Sequence, residues 1–383
     1  TFMWPRSFWD RLYEPMIRRA AGLGRSPTEP DPDEYSNRYA HCDVLVIGAG
    51  PAGLAAALAA SEAGASVILA DEQAEIGGSL LSDVTSVVDG GSAWTWIDNA
   101  RTTLANRANV TVLTRTTGFG YYHQNYVALA QRLTDHLATL PAGMPRERLW
   151  QVRAPQVVLA QGAIERPLVF DGNDRPGIML AGAGRSYLNR YGVAVGDRSL
   201  VVTAHDSAYQ TAFDLAAADR PPVAIVDLRP DVPDALRAKA EELGIKLLSH
   251  HAVTATEGRR RVATAQVSPI GSDSSAARRV ACDAILMCGG WTPSVHLHSH
   301  AQGKLDWRED LDAFVPGDPR EESRTAGAGN GTFDLAAVLA EGAGAGVAAA
   351  GDAGCAVGEP PVYAVDDAGL SSGVAQSAPS AGR

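Results

Sequence analysis

Short apolar runs alternate with helix-length segments along this 383-residue chain. Val44, Leu45, Val46 and Ile47 are four apolar residues in succession, the pattern of a strand buried on both faces. Residues 51–62 are small and apolar at helical length, and 66–71 form a second apolar run, so the three together predict the opening of a βαβ unit. Beyond them the pattern predicts a helix at 94–107, a strand at 110–115, a strand pair within 146–163 that ends in a buried strand, and a helix at 178–191. A second strand–helix–strand begins near residue 198, with strands at 200–203 and 223–227. Helix 231–243 and short strands around 245–268 follow. Residues 283–290 read as a further buried strand entering a glycine turn, and 331–350 as a helix of small residues.

The ends of the chain differ from this core. Trp9, Leu12, Tyr13, Met16 and Ile17 fall on the stripe of an amphipathic helix, with Ser7 as a cap and Pro15 as a kink. Its aromatic face is expected to dock either on its own domain or on a partner subunit. Residues 24–39 are polar and proline-rich and read as a linker, and from Gly351 the composition is that of a flexible tail or truncated linker. The expected organisation is an N-terminal helix and linker (1–40), a dinucleotide-binding domain in two pieces (41–170 and 276–350), an inserted Rossmann-like domain (171–275), and the tail (351–383).

Charge and cysteine content narrow the partners. A net charge of −11 argues against nucleic acid or an anionic membrane as the main partner. No apolar run approaches the length of a membrane span. Cys42, Cys282, Cys288 and Cys355 form no C-x-x-C pair, which weakens a zinc site and a redox-active disulfide and suits reduced thiols in the cytoplasm.

The most specific motif is Gly48-Ala49-Gly50-Pro51-Ala52-Gly53, a G-x-G-x-x-G loop between a strand and a helix. The first glycine permits the tight turn. The second lets the backbone approach a pyrophosphate, and the third lets helix pack on strand. Gly48, Gly50, Pro51, Ala52 and Gly53 are therefore expected to cradle the pyrophosphate at the helix N-terminus. Asp71 and Glu72, with Gln73 beside them, end the second strand at the position where an acid accepts from ribose hydroxyls. No arginine adjoins them in sequence to welcome a 2′-phosphate, so NAD or FAD is expected over NADP. Gly77-Gly78 after the acidic strand is a frequent feature of flavoproteins with two dinucleotide sites.

A late glycine turn, Ala326 to Gly331, bears on which dinucleotide binds. Flavoproteins of this kind commonly place an Asp after a glycine there to hold the ribityl chain. Here Ala328 follows Gly327, so a flavin would lose a polar anchor worth about 0.5–1.5 kcal/mol. Gly327, Ala328, Thr332 and Phe333 are expected to close the far end. The corresponding loop of the inserted domain, Thr203 to Ala208, has no glycine, and Asp206 or Ser207 is expected to cap its own helix. That second site is expected to be closed.

The remaining candidates have plainer readings. His296, His298 and His300 alternate and would share one face of a strand, yet lack further ligands at metal spacing, so no metal site is expected. Gly342, Gly344 and Gly346 fit close helix packing. Gly182 and Gly184 lack the third glycine of a loop. Arg166 is open to a phosphate, to Glu165 or to a loop acid. No catalytic residue is assigned.

Together with "YEPMIRRAAGLG" (13–24), "ILADEQAEIGGSLL" (68–81), "GYYHQNYVAL" (120–129), the stretch 146–180, "YLNRYGV" (187–193), "HDSAY" (205–209), "CGGWTPSVHL" (288–297) and "AGAGNGTFDLAAVLAEG" (326–342), the chain resembles the N-terminal half of the alpha subunit of heterotetrameric sarcosine oxidases. Opine oxidase and hydrogen cyanide synthase subunits share some of these stretches, notably "ERPLVF". Gln161 and His123 depart from the family, where Thr and Asp are usual. The resemblance implies an α/β fold with two dinucleotide-binding domains of the FAD/NAD(P), Rossmann-like flavoprotein type, holding NAD, with Ser79 and the backbone near Gly118 on the adenine side and Gly78 and Gly162 among the cofactor-binding residues. It also implies beta, gamma and delta partner subunits, with FMN and FAD on or beside the partner, and a tetrahydrofolate-binding C-terminal region that this chain stops short of, as a fragment would. The implied reaction is oxidative demethylation of sarcosine, with the chemistry on the partner. Two further readings stand: an FAD-dependent member of an opine-oxidase or hydrogen-cyanide-synthase-like complex, and a non-enzymatic interaction module.

Overall fold

A computed structural model describes residues 4–24, 28–272 and 276–366. Its first domain is built on a five-stranded parallel sheet in the order Ser323–Thr325, Gln156–Leu159, Val44–Ile47, Val67–Ala70, Val110–Leu113. The central strands are buried along their whole length because both faces are covered. Helices Pro51–Glu62, Ala93–Asn106 and Leu335–Asp352 pack on one face around Leu54, Leu69, Trp96, Leu104 and Leu339. On the other face lies a four-stranded sheet in the order Tyr35–His41, Glu147–Arg153, Tyr126–Arg132, Thr116–Tyr122, which contributes Tyr121, Val127, Leu129 and Val152 to the second core.

Helix Leu335–Asp352 has 18 residues and a mean hydropathy of 1.2, enough in length and composition to cross a membrane, where the sequence pattern offered no such run. Its packing explains the apolarity. A Cβ on Gly342 or Gly346 would overlap the carbonyl oxygens of Ala52 or Ala56, so these two glycines let the helix lie directly on Pro51–Glu62. Gly344 has open space and no such role.

The second domain carries another five-stranded parallel sheet: Ile178–Leu180, Ala284–Cys288, Ser199–Thr203, Ala224–Asp227, Leu247–Ser249. Helices Ser207–Ala217 and Ala181–Tyr191 pack together beside it. A three-stranded antiparallel sheet, His251–Glu257, Thr264–Pro269 and Arg278–Ala281, shares its other core. Strand Ala284–Cys288 sits between Ile178–Leu180 and Ser199–Thr203, so the chain belongs to the second sheet until Cys288 rather than leaving it at 276. A buried apolar strand fits either parallel sheet equally well, and only the pairing decides.

Three further expectations at the ends are corrected. Residues 35–41 are not linker: Tyr35–His41 pairs in parallel with Glu147–Arg153, its largely exposed pattern being that of an edge strand. The N-terminal stripe is not one capped, kinked helix. Arg6–Phe8 is a 3-10 turn containing Ser7, Trp9–Tyr13 is π-helical, and Pro15 lies in the first turn of helix Glu14–Ala20. Trp9, Leu12, Met16 and Ile17 stay exposed. The tail is ordered beyond Gly351: Tyr363 meets Trp96 edge-on at 5.7 Å and Val365–Asp366 pairs with Val87–Val88. The rest of the expected tail, 367–383, lies outside the described residues.

Candidate dinucleotide site

The glycine loop is forced at Gly48 and Gly53. Gly48 has φ +99°, and a Cβ there would overlap the Ala160 carbonyl. A Cβ on Gly53 would overlap the Gly48 carbonyl, so Gly53 is buried in the strand–helix contact and does not line the cavity. Gly50 caps the helix through backbone alone, with no side chain on its first turn, and Pro51 follows at the position that needs no donor. The free N–H groups of that turn and the helix dipole make an anion seat. Gly78 clasps the same loop: a Cβ on it would stand 2.7 Å from Gly50 Cα, and the Gly77 N–H donates to the Ala49 carbonyl at 2.8 Å.

The two predicted ribose acids have separate tasks. Asp71 Oδ2 accepts the Ala49 N–H at 2.6 Å and Oδ1 accepts the Gln73 N–H at 2.7 Å. Burial raises its pKa, against these two bonds. Asp71 thus holds the loop, and Glu72 presents the exposed carboxylate beside it. Arg132, from strand Tyr126–Arg132, donates to the Glu72 carbonyl at 3.1 Å. An arginine therefore does stand beside the acid, brought by a pairing 60 residues away in sequence.

These groups open on one cavity of about 570 Å³, within the roughly 300–1,000 Å³ of small-molecule sites. Gly48, Gly50, Pro51, Ala52, Asp71, Glu72, Gln73, Gly78, Ser79, Gly118, Gly162, Ala328, Thr332 and Phe333 all line it. Gly327 does not: it is buried and gives its N–H to Glu341 at 2.8 Å, which braces the late turn from helix Leu335–Asp352. The cradle closed to a Cβ at Gly48 and Gly78, the open helix end and the buried, unpartnered Gln161 Oε1 on the cavity wall fit a dinucleotide.

The sequence pattern leaves half of the wall unmarked. Arg185, His205, Asp206, Ser207, Gln210 and Trp291 line the same cavity, Trp291 just past the strand Ala284–Cys288 and the others within the second domain. Across the domain seam Asn189 donates to the Ser82 carbonyl at 2.9 Å, Ser82 and Ser186 hydroxyls meet at 2.7 Å, Arg190 pairs with Glu75 at 2.6 Å and Arg185 approaches Asp83 at 3.5 Å. The meeting of these residues is visible only once the domains are placed.

The second domain's own loop is filled by protein. Asp206 does not cap helix Ser207–Ala217 with its side chain. It pairs instead with buried Arg229 at 2.6 Å, which also meets Asp227 at 2.7 Å, and Tyr209 donates to Asp227 at 2.8 Å. Nδ1 of His205 accepts the Ser207 N–H at 3.1 Å in place of the expected cap.

Other candidates resolve individually. His296–His300 is a short helix, not a strand, and its histidines part company. The Ser294 hydroxyl lies 3.2 Å from His296 Nδ1, the Lys304 carbonyl 2.8 Å from His298 Nε2, and Nδ1 of His300 accepts the Tyr121 N–H. Arg166 donates to the Asp312 carbonyl at 2.9 Å, so it serves a loop. Glu165 is buried, accepts the Gly182 N–H at 2.9 Å and is pushed by burial to a pKa of about 7, against the Cys288 thiol and that N–H. His123 pairs with Glu321 at 3.0 Å. The four cysteines are free thiols.

Residues 42–313 match the pyridine nucleotide-disulphide oxidoreductase family. The chain belongs to that family. Among curated relatives it is 46% identical to the sarcosine oxidase alpha subunit of Rhizobium meliloti (strain 1021), over 90% of this chain and 34% of that protein. It is 47% identical to the corresponding protein of Corynebacterium sp. (strain P-1), over 87% of this chain and 35% of that one. It thus spans about a third of the length of these two relatives. An opine oxidase component of Agrobacterium tumefaciens (strain Ach5) is more distant, 28% identical over 72% of this chain and 57% of its own length. In fold, the chain superposes on T. acidophilum thioredoxin reductase with a TM-score of 0.63 at 16% identity, covering 82% of this chain and 98% of the other. For the L-proline dehydrogenase of P. horikoshii the TM-score is 0.62 at 20% identity, covering 89% and 63%. A pyridine-nucleotide-disulphide-oxidoreductase fold thus carries an open first glycine cradle and a second loop occupied by its own side chains.

Proposed function

We propose that this chain is the NAD-holding portion of a sarcosine-oxidase-type alpha subunit. The observation that carries the reading is the contrast between the two loops of one cavity: an open glycine cradle ending at Ala328, and a second loop blocked by His205, Asp206 and Arg229. With the second loop blocked, a separate nucleotide has no seat from which to reduce a flavin. The first-turn N–H groups of Pro51–Glu62 hold the pyrophosphate, Glu72 the adenosine ribose, and Ser79 and Gly118 the adenine side. Ala328, Thr332 and Phe333 close the far end without the acid a ribityl chain would meet. NAD supplies, when bound, a nicotinamide able to accept hydride; in this reading it is a fixed part of the protein.

The oxidation belongs to the assembled complex with beta, gamma and delta subunits, whose FMN and FAD lie on or beside the partner. Sarcosine, O₂ and tetrahydrofolate give glycine, peroxide and methylene-tetrahydrofolate, the folate being held by an alpha region outside this chain. The four free thiols suit the cytoplasm. A visible spectrum of the purified chain, followed by denaturation and chromatography of the released nucleotide, tests the reading. A colourless protein releasing NAD supports it. A yellow protein releasing FAD replaces it with a flavin-dependent amine-oxidising protein of the opine oxidase kind.

A further inference from the structure

His205 is 1% exposed, yet its ring lines the cavity. The Ser207 N–H lies 3.1 Å from Nδ1, and the Ser207 hydroxyl 2.9 Å from the same atom. A backbone N–H only donates, so Nδ1 offers a lone pair and the neutral ring carries its proton on Nε2. Burial keeps the ring neutral, pulling its pKa down to about 4, with Asp206 opposing and Arg229 reinforcing the shift. The Ser207 hydroxyl accepts Trp291 Nε1–H at 2.9 Å, which holds the turn against the cavity wall. The Nε2–H has no partner among the described residues.

A donor that opens on a cavity with no protein partner is free to meet a ligand atom. The same wall offers acceptors. Gln161 Oε1 is buried and unpartnered, and Gln210 spends its Nε2–H on Asp214 at 2.6 Å, leaving its carbonyl oxygen. One neutral donor with carbonyl acceptors complements a primary carboxamide, which has one acceptor oxygen and an NH₂ group. It repels neither a cationic nor a neutral ring attached to that amide.

We propose that His205 donates its Nε2–H to the carboxamide oxygen on the far half of the dinucleotide seated in the first domain. The blocked loop of the second domain thereby reads the head of the first domain's ligand. This rests on the NAD reading above and adds a residue that distinguishes a dinucleotide carrying the carboxamide ring from one that lacks it.

Titration calorimetry on the full chain, stripped of nucleotide, uses three probes: NAD, nicotinic acid adenine dinucleotide, whose carboxylate replaces the amide, and ADP-ribose, which lacks the ring. H205N keeps an acceptor for the Ser207 N–H and withdraws the donor. H205Q returns an N–H close to the Nε2 position. H205N is expected to weaken NAD about tenfold and leave ADP-ribose unchanged, and H205Q to recover most of the loss. In H205N the acid analogue should weaken as well, since a carboxylate oxygen accepts the same N–H, while any preference for the amide, set by the Gln161 and Gln210 oxygens, should persist. Equal weakening of NAD and ADP-ribose, or no weakening of either, overturns the role of His205. If the wild-type chain binds FAD and not NAD, the ligand reading itself fails, a result visible before any variant is made.

Discussion

Replacing Glu165 by Gln isolates the cost of one buried carboxyl. Its pKa is pushed by burial from 4.5 to about 7. Between those values the folded chain binds a proton that the unfolded chain does not, so this residue's contribution to stability is full below pH 4.5 and is lost as pH rises through 7. At about 1.4 kcal/mol per pH unit, the loss reaches about 3 kcal/mol by about pH 8. Gln is a neutral replica of the protonated acid, and its carbonyl oxygen can accept the Gly182 N–H that Glu165 accepts at 2.9 Å. His205 titrates in the opposite sense: lowered from 6.5 to about 4, it costs stability as pH falls between those values. The two slopes largely cancel in wild type near pH 5–6, so the diagnostic is the difference between variant and wild type. Urea unfolding at half-unit steps from pH 5 to 8.5 should find E165Q nearly equal to wild type at the acid end. At about pH 8 it should be more stable by about 3 kcal/mol. A difference that stays constant across the series would refute the argument, because no proton would then be linked to Glu165.

Two other substitutions separate binding from folding. E72A should weaken NAD by roughly 10- to 100-fold, the loss of a charged hydrogen bond of about 1.5–3 kcal/mol, with little change in melting temperature. D71A should instead lower stability by about 1–3 kcal/mol by orphaning the Ala49 and Gln73 amides, which thermal unfolding without ligand measures. G346A places a Cβ into the Ala56 carbonyl and should cost about 1–3 kcal/mol as an overpacked contact, whereas G344A, with open space, should be neutral or slightly stabilising in the same denaturation assay.

The first seat was legible because its constraints are local. Gly48, Gly50 and Gly53 act on neighbours within the loop or on the adjoining strand, and a strand-loop-helix pattern already states that relation. The split between Asp71 and Glu72 was hidden, since both are acids at a strand end and only the hydrogen bonds to Ala49 and Gln73 tell them apart. Gly327 was misplaced for a similar reason: a glycine at a turn says that backbone approaches something, and here that something is Glu341. That the second loop has no glycine was readable, but not the Asp206–Arg229 pair beside it, because Arg229 arrives from another strand end. Gln210 lies in no stretch that the sequence singles out, and the stretches holding His205 and Trp291 do not show that they share one cavity. The histidine run misled because alternation over five residues suits a short helix as well as a strand.

The polar seam between the domains has a consequence for how a ligand is met. Two domains joined by two crossing segments are a natural hinge, and many such proteins close on what they bind. Here the Asn189–Ser82, Ser82–Ser186, Arg190–Glu75 and Arg185–Asp83 contacts are made with protein atoms alone. The mould is cast when the chain folds. The ordering these contacts supply is in place before a ligand arrives, so that part of the cost of assembling the wall does not fall on the ligand's own contacts.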